Sequence, residues 1–271
     1  MKRKSRTVLL GACLGTCAVA PALAAGGQPV KDFLSAEIKV LREQAAATRG
    51  LLGGLLGGGS GSELGQAVKY LGAAGSGIVY LQPDCSSSAI GTLGPDDHCL
   101  VVNPGTPVSF EYDDIGRLTI PGKSSKDIVC FWYTNFVYRE FENPNSTPLV
   151  ATLAYQPTVT LEAAALSDPR AVDPNTGLPY NGKIDLGSMG SHTVTRTLQA
   201  GDIDADNQQY SRTCISGYTK ASFTDPQGFG LPPDLADRLF KEPMTFHINI
   251  RGYASGVGSA LLFANARFLG D

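Results

Sequence analysis

A run of alternating acids, GDIDADNQQY at residues 201–210, has part of the spacing of a calcium-binding loop. Asp202, Asp204 and Asp206 stand at every second position, and calcium loops use carboxylates at their first, third and fifth positions because Ca²⁺ prefers several oxygen ligands. The twelfth position, where such a loop has a bidentate glutamate, is Thr213. The run therefore predicts either a weak calcium site or a polar turn between two strands, and we favour the turn.

Three polar side chains near the C-terminus form a second candidate site. His247, Asn249 and Arg251 alternate along one predicted strand, so they share one of its faces. The following strand presents Asn265 and Arg267 on one face. If the two faces coincide, they form a polar patch able to bind an anion or a sugar. The alternative, which we favour, is an ordinary solvent-facing side of a sheet.

The sequence lacks the common catalytic motifs. It contains no G-x-S-x-G, no H-E-x-x-H and no complete phosphate-binding G-x-x-x-x-G-K-[ST] pattern. One of its three histidines, His98, lies beside two acids in PDDHC and is a weak catalytic candidate. Glycoside hydrolysis needs two carboxylates about 5–10 Å apart, and sequence alone does not tell whether Glu140, which follows an aromatic run, meets another acid. We therefore favour a non-enzymatic protein.

The N-terminus predicts export. Four basic side chains within residues 2–6 precede a short apolar stretch at 7–20, and small residues then lead to a predicted cleavage site after Ala24. Lipidation at Cys13 is the alternative, although the apolar stretch before it is about half the usual length. No later stretch has the roughly 20 consecutive apolar residues that span a bilayer. We expect a periplasmic, cell-surface or secreted protein.

Charge and composition indicate which classes of partner and which fold class to expect. Cleavage removes four of the 22 basic side chains and none of the 25 acidic ones, which leaves 18 against 25 and a net charge of −7. A chain without a basic excess is not expected to bind nucleic acid. Charged residues make up 17% of the chain, glycine is abundant, and runs of Val, Thr, Tyr and Phe recur, which favours β-structure with many turns.

The cysteines predict a disulfide framework. Four remain after cleavage, namely Cys85, Cys99, Cys130 and Cys214, and an even number behind a signal peptide predicts two disulfides. Three pairings are possible. The turn-rich segment between the first two favours Cys85–Cys99 with Cys130–Cys214, and closing so short a loop contributes about 3 kcal/mol. No pair has C-x-x-C spacing, so a thiolate metal site is not expected.

The chain divides into three predicted regions: a signal peptide at 1–24, a helical and glycine-rich extension at 25–76, and a disulfide-stabilised β domain at 77–271. Within the extension, the apolar spacing of residues 28–49 predicts an amphipathic helix, and a glycine-leucine linker follows at 50–65. The apolar stripe of the helix comprises Val30, Phe33, Leu34, Ile38, Leu41 and Ala45.

This stripe has alternative roles. Exposed apolar stripes are usually avoided, so we favour docking on the protein's own body over contact with a second subunit or a membrane. A second short helix is predicted at residues 62–73, with Ser62 as its N-cap.

The β domain contains one outstanding strand. Residues 127–141 are apolar on both faces, which predicts a central strand covered on two sides. Residues 149–166 are expected to return antiparallel to it, and residues 167–190 to form a long surface loop. A further strand is expected at 211–223, and a hairpin from residue 244 onward ends the chain. The predicted fold class is mainly β, an antiparallel β-sandwich of about eight to ten strands.

Together these patterns predict an exported, non-enzymatic module that acts in the envelope or at the cell surface through contacts with a protein partner or with itself. The helix and the linker are the expected contact element. The alternative is a secreted carbohydrate-active hydrolase or a carbohydrate-binding protein. No cofactor is expected apart from the calcium considered for residues 202–206.

Overall fold

The computed structural model of the protein describes residues 69–212 and 217–271. The predicted signal peptide, the predicted helix at 28–49, the linker and Cys214 lie outside the described residues. Twelve strands in the described part form two sheets, and three short α-helices and one 3₁₀ helix connect them. The architecture is mainly β, as the sequence predicts, with two more strands than the upper expectation.

A seven-stranded sheet is built around the long pair of β5 and β12, which run antiparallel from Val257 opposite Phe141 to Gly270 opposite Val129. The other edge of β5 pairs with β9 and β10, and the other edge of β12 pairs with β1 and β2. β3 adds to β2 in parallel. The strands of this sheet are β1 (Lys69–Gly75), β2 (Val79–Gln82), β3 (His98–Val101), β5 (Ile128–Glu142), β9 (Ile203–Arg212), β10 (Tyr218–Thr219) and β12 (Val257–Gly270).

A five-stranded antiparallel sheet is built around β11, which lies between β4 and β6. The far edge of β6 pairs with β8 along its first half and with β7 along its second. The strands are β4 (Val108–Ile120), β6 (Leu149–Ala163), β7 (Lys183–Ser188), β8 (His192–Leu198) and β11 (Met244–Ser255).

The helices are short and lie in the connections. They are α1 (Ser87–Ile90), the 3₁₀ helix η1 (Ala164–Ser167), α2 (Lys220–Thr224) and α3 (Pro233–Lys241). α2 begins with a capping box between Thr219 and Ser222, and α3 begins with a proline at its first position, where the missing N–H costs nothing. The sequence PPDLADRLFK at 232–241 predicts one or two helical turns with proline at the start, and α3 confirms them.

Side chains from both sheets form the core between them. Alternate residues of β11 and β12 point toward each other, and the rings of Phe246 and Phe268 lie 4.4 Å apart across the two layers. Two sheets of mostly antiparallel strands with a shared apolar interior match the predicted sandwich class.

The predicted C-terminal hairpin is wrong. β11 and β12 are both strands, but they lie in different sheets, and a single residue, Gly256, turns the chain between them with φ +67°. Each strand already has partners along both edges within its own sheet, so neither edge is open to the other strand. The predicted antiparallel return of residues 149–166 onto β5 is also wrong, because β6 lies in the five-stranded sheet. The apolar alternation predicts a strand but does not distinguish a hairpin from a corner between sheets.

Other boundaries also differ. Residues 69–73, predicted as the end of a helix, belong to β1, where Gly72 has a φ of +150° that no helix accommodates. The described β structure therefore includes residues 69–75, which precede the predicted boundary at residue 77. β7 occupies part of the predicted loop at 167–190, and the strand predicted at 211–223 is replaced by the end of β9, β10 and α2.

Candidate functional site on the outer sheet faces

The predicted row of polar side chains lies on the outer face of the five-stranded sheet, called here the polar face. The row consists of every second residue of β11: His247, Asn249 and Arg251. The residues between them point into the core instead. His247 and Asn249 are nevertheless 8% and 9% exposed, because neighbouring side chains cover them, whereas Arg251 is exposed. The joint patch with Asn265 and Arg267 does not form, since those residues belong to the other sheet.

His247 connects three strands. Its Nδ1 lies 2.6 Å from Oδ1 of Asp114 on β4, and its Nε2 lies 3.1 Å from Oε2 of Glu162 on β6. Arg117 lies 3.0 Å from Asp114, and Lys183 lies 3.1 Å from Glu162. The hydrogen bond from Lys183, together with the nearby His247, holds the pKa of Glu162 below its ordinary value. Both ring nitrogens lie near carboxylates, but only Nδ1 makes a hydrogen bond, because the short distance from Nε2 to Glu162 lacks hydrogen-bond geometry.

Asn249 completes this network. Its Oδ1 accepts a 2.8 Å hydrogen bond from the backbone N–H of Asp114, where β4 bulges and φ is +55°. Its Nδ2 donates to Oγ1 of Thr160 at 2.9 Å. A buried amide with partners on both sides stabilises the fold, and its removal leaves a backbone donor unsatisfied.

A shallow groove of about 390 Å³ crosses the polar face next to this network. Three-residue segments of four adjacent strands line it, at 109–111, 154–156, 191–193 and 251–253. Nε and Nη2 of Arg251 donate to Oε1 of Gln156 at 2.8 and 2.6 Å, which holds the guanidinium in place along the groove. Tyr253 is 39% exposed, and Glu111 is the one carboxylate among the lining residues.

The acidic run forms a strand, so the predicted turn is wrong beyond residue 202. Asp202 closes the β8–β9 turn by accepting the N–H of Gln199 at 2.7 Å, whereas Asp204 and Asp206 lie on the inward side of β9. Their Oδ2 atoms lie 3.0 and 3.3 Å from Nη1 and Nη2 of Arg139, which is 1% exposed.

Arg139 explains why two acids face inward. A guanidinium removed from water requires counter-charges, and the edge strand β9 supplies them. Within the described ranges, no three histidine, cysteine or acidic side chains come together as a metal cluster. Two of the three carboxylates of the calcium hypothesis, Asp204 and Asp206, thus already pair with Arg139. Calcium binding stays a prediction. Arg139 lies on the same strand face as Val137 and Phe141, and the sequence does not show that two acids of a distant strand lie beside it.

The opposite face of the molecule differs in chemistry. Five rings lie on the outer side of the seven-stranded sheet and define the aromatic face: Tyr80, Trp132, Phe136, Tyr138 and Phe263. They alternate with side chains of the core and are half-buried.

At the centre of the aromatic face lies a small apolar cluster. Leu261 pairs in register with Tyr80 on one side and Tyr138 on the other, and with Ile78 it forms a cluster separate from the main core. Ile78 and Leu261 are each 3% exposed although they point outward. At its rim, burial and then the charge of Glu142 raise the pKa of Glu140.

The predicted disulfide Cys85–Cys99 is confirmed, with a Cα–Cα distance of 5.8 Å. Cys130 is buried on β5 and is disulfide-bonded. Its predicted partner, Cys214, lies outside the described residues, so that pairing stays a prediction.

Comparison with known proteins assigns no family. No family model matches the chain, and no curated protein matches it. Among solved structures, a mutant VP2 protein of infectious bursal disease virus from T=1 particles is 7% identical with a TM-score of 0.17, and it aligns over 74% of this chain and 58% of its own. The structure of infectious bursal disease virus Gx strain is 8% identical with a TM-score of 0.15, and it aligns over 77% of this chain and 58% of its own. The chain thus spans less than two thirds of these viral chains, and likeness this low carries no argument.

Across residues 69–212 and 217–271, no helix has the length and apolar character needed to cross a membrane.

Proposed function

We propose that the protein is an exported, non-enzymatic β-sandwich that acts as an assembly module of the envelope or cell surface and associates with itself through the groove of the polar face. The observation that carries this proposal is the groove over four strands, in which β11 exposes Arg251 and Tyr253 on the same face. Arginine and tyrosine are enriched at the energetic centres of protein interfaces, because each offers a large contact area and directed hydrogen bonds.

Export is supported by two features. The N-terminus has the layout of a signal peptide with cleavage after Ala24, and the Cys85–Cys99 disulfide is of the kind that forms in an oxidising compartment. Lipidation at Cys13 is the alternative anchor. The mass of the mature N-terminus distinguishes the two processing routes, because a lipidated chain would begin at the cysteine and carry its acyl groups.

The site chemistry supports binding over catalysis. Both nitrogens of His247 face carboxylates of neighbouring strands, which leaves neither poised toward the groove. Hydrolysis of a glycosidic bond uses a pair of carboxylates, and the groove lining contains Glu111 alone. Recognition needs only the surface that these residues already form.

Self-association is tested by sedimentation velocity of the mature protein at increasing concentration. We expect Arg251→Ala and Tyr253→Ala each to weaken association about tenfold or more, as truncation at an interface centre does. Thr197→Ala is the matched control, because it is exposed on β8 of the same sheet and outside the groove. A wild-type protein that stays monomeric at about 100 µM, where a complex of even 10 µM affinity would be populated, contradicts the proposal.

Carbohydrate binding at the same groove is the second candidate. The exposed ring of Tyr253 can stack against a sugar face, and the fixed pair of Arg251 and Gln156 offers planar groups to ring hydroxyls. Calorimetric titration of the mature protein with soluble cell-wall oligosaccharides tests this candidate. Saturable heat that Tyr253→Ala abolishes, in a protein that sediments as a monomer, would replace self-association by glycan binding.

A further inference from the structure

The aromatic face has the character of a covered surface. Its rings surround Leu261 and Ile78, which are almost fully shielded although they lie on the solvent side of a two-layer fold. Trp132 carries the guanidinium of Arg267 over its ring at 5.6 Å. Contiguous apolar patches of this kind are rarely left open by monomeric proteins.

The chain enters the structure beside this face. β1 starts at Lys69 opposite Gly270 and runs along β12 to Gly75 opposite Asn265. β12 is also the strand that carries Leu261 and Phe263 on its outer side. Lys69, the first described residue, therefore lies on the sheet that carries the aromatic face, nine residues along β12 from Leu261.

The lengths permit the preceding segment to return over the face. The predicted helix at 28–49 has 22 residues and would measure about 33 Å. Along β12, the rings of the face extend from the position of Leu261 to that of Arg267, about 20 Å of strand, so the helix is long enough to cover them. The 19 residues at 50–68 reach up to about 60 Å when extended, which is enough for the helix to reverse onto the sheet.

We infer that residues 28–49 dock through their apolar stripe on the aromatic face of the same chain. A short tether gives the docked partner an effective concentration in the millimolar range, so a contact within one chain outcompetes the same contact between two chains. The ligand of this surface is thus an amphipathic helix, recognised by aromatic side chains at its centre. The inference is independent of the groove, which lies on the other sheet.

Trp132 reports on this contact, because it is the only tryptophan of the protein. The experiment measures its emission and its quenching by acrylamide in the full mature chain. Leu34→Asp and Ile38→Asp place a charge in the stripe, and we expect a red shift and a quenching constant about twofold higher as the indole becomes accessible.

Ala36→Asp is the matched control. It adds the same charge, but on the predicted helix it lies about 200° from Leu34, on the side away from the stripe. The control should keep the wild-type emission. Circular dichroism of each variant checks that the β-sheet content is unchanged.

Two outcomes overturn the inference. If Leu34→Asp and Ala36→Asp give the same quenching as the wild type, nothing on residues 28–49 covers Trp132. If wild-type quenching rises on dilution along with a fall in sedimentation coefficient, the covering segment belongs to a second copy. Quenching that is independent of concentration and raised by the stripe variants alone supports docking within the chain.

Discussion

The two sheets place their polar groups on opposite sides. In the five-stranded sheet the network of His247 and Asn249 lies on the outer face, and the inner face is apolar. In the seven-stranded sheet the rings of Trp132 and Tyr138 lie outside, whereas Arg139 lies inside with its guanidinium between the layers. The period of a strand is the same in both cases, and the neighbouring strands decide which face is wet.

The inward position of a charged residue in the seven-stranded sheet depends on its edge strand. Arg139 shares its face with Val137 and Phe141, which belong to the core, so this position would normally hold an apolar residue. β9 makes the arginine tolerable because Asp204 and Asp206 approach from the edge. A charged residue therefore does not by itself show that its face of the strand is exposed to solvent, because the neighbouring strand can supply counter-charges.

The largest effect is expected at this inner charge. Asp204→Ala removes one of the two counter-charges of Arg139 and should lower the free energy of unfolding by about 2–3 kcal/mol, because a buried guanidinium is left partly uncompensated. Asp202→Ala, in the same acidic run but exposed, should cost less than about 1 kcal/mol. Urea unfolding measures both.

Calcium sharpens this test. Because both carboxylates are engaged by Arg139, we expect the melting temperature of the wild type to change by less than about 1 °C in millimolar calcium. A clear calcium-dependent rise that Asp204→Ala abolishes would restore the metal site.

An effect of similar size is expected at the centre of the aromatic face. Leu261→Ala removes a buried side chain from the outer cluster and should cost about 2–3 kcal/mol in the full chain, as core truncations do. Val150→Ala truncates an apolar residue that is 57% exposed and should cost less than about 0.5 kcal/mol. Equal costs for the two variants in urea unfolding would mean that the aromatic face is an ordinary solvated surface.

The polar face should respond more weakly. Asn249→Ala leaves the N–H of Asp114 without its acceptor and should cost about 1–2 kcal/mol. Arg251→Ala, one step along the same face, should change stability by less than about 0.5 kcal/mol because its side chain is exposed. The comparison fails if Arg251→Ala proves the more destabilising of the two in thermal unfolding.

The smallest effects concern one glutamate on each face. The folded pKa of Glu162 is lowered from 4.5, so its ionised form stabilises the fold above that value and the contribution is lost as the pH falls through the folded pKa. The folded pKa of Glu140 is raised, so its ionised form is unfavourable and this cost develops as the pH rises from 4.5 through the folded pKa.

Neutral variants should therefore shift stability in opposite directions. At pH 7, Glu162→Gln should destabilise and Glu140→Gln should stabilise, each by at most about 1 kcal/mol because both groups are partly exposed. Both differences should vanish near pH 3, where the wild-type carboxyls are largely protonated. Thermal unfolding at the two pH values measures the sign, and a shared sign at pH 7 would contradict the contrast between the faces.

Sequence patterns predicted local structure better than they predicted which strands and side chains pair with one another. The apolar residues on both faces of 127–141 predicted β5, and the turn-rich segment between the cysteines predicted Cys85–Cys99, because both depend on neighbours along the chain. The division of β11 and β12 between two sheets depends on edges filled by distant strands. Asp204 points inward because it pairs with Arg139, which is 65 residues away in the sequence. The composition of the acidic run therefore predicted a turn, although most of the run belongs to β9.

The central claim is that the polar face binds a second copy while the aromatic face is already covered. Hydroxyl-radical footprinting of the mature protein at low and high concentration tests it most directly, because oxidation of Tyr253 and Trp132 is measured in one sample. We predict that oxidation of Tyr253 falls as the concentration rises, whereas oxidation of Trp132 is low and constant. Protection of Trp132 that grows with concentration, with Tyr253 unchanged, would contradict the assignment of the two faces.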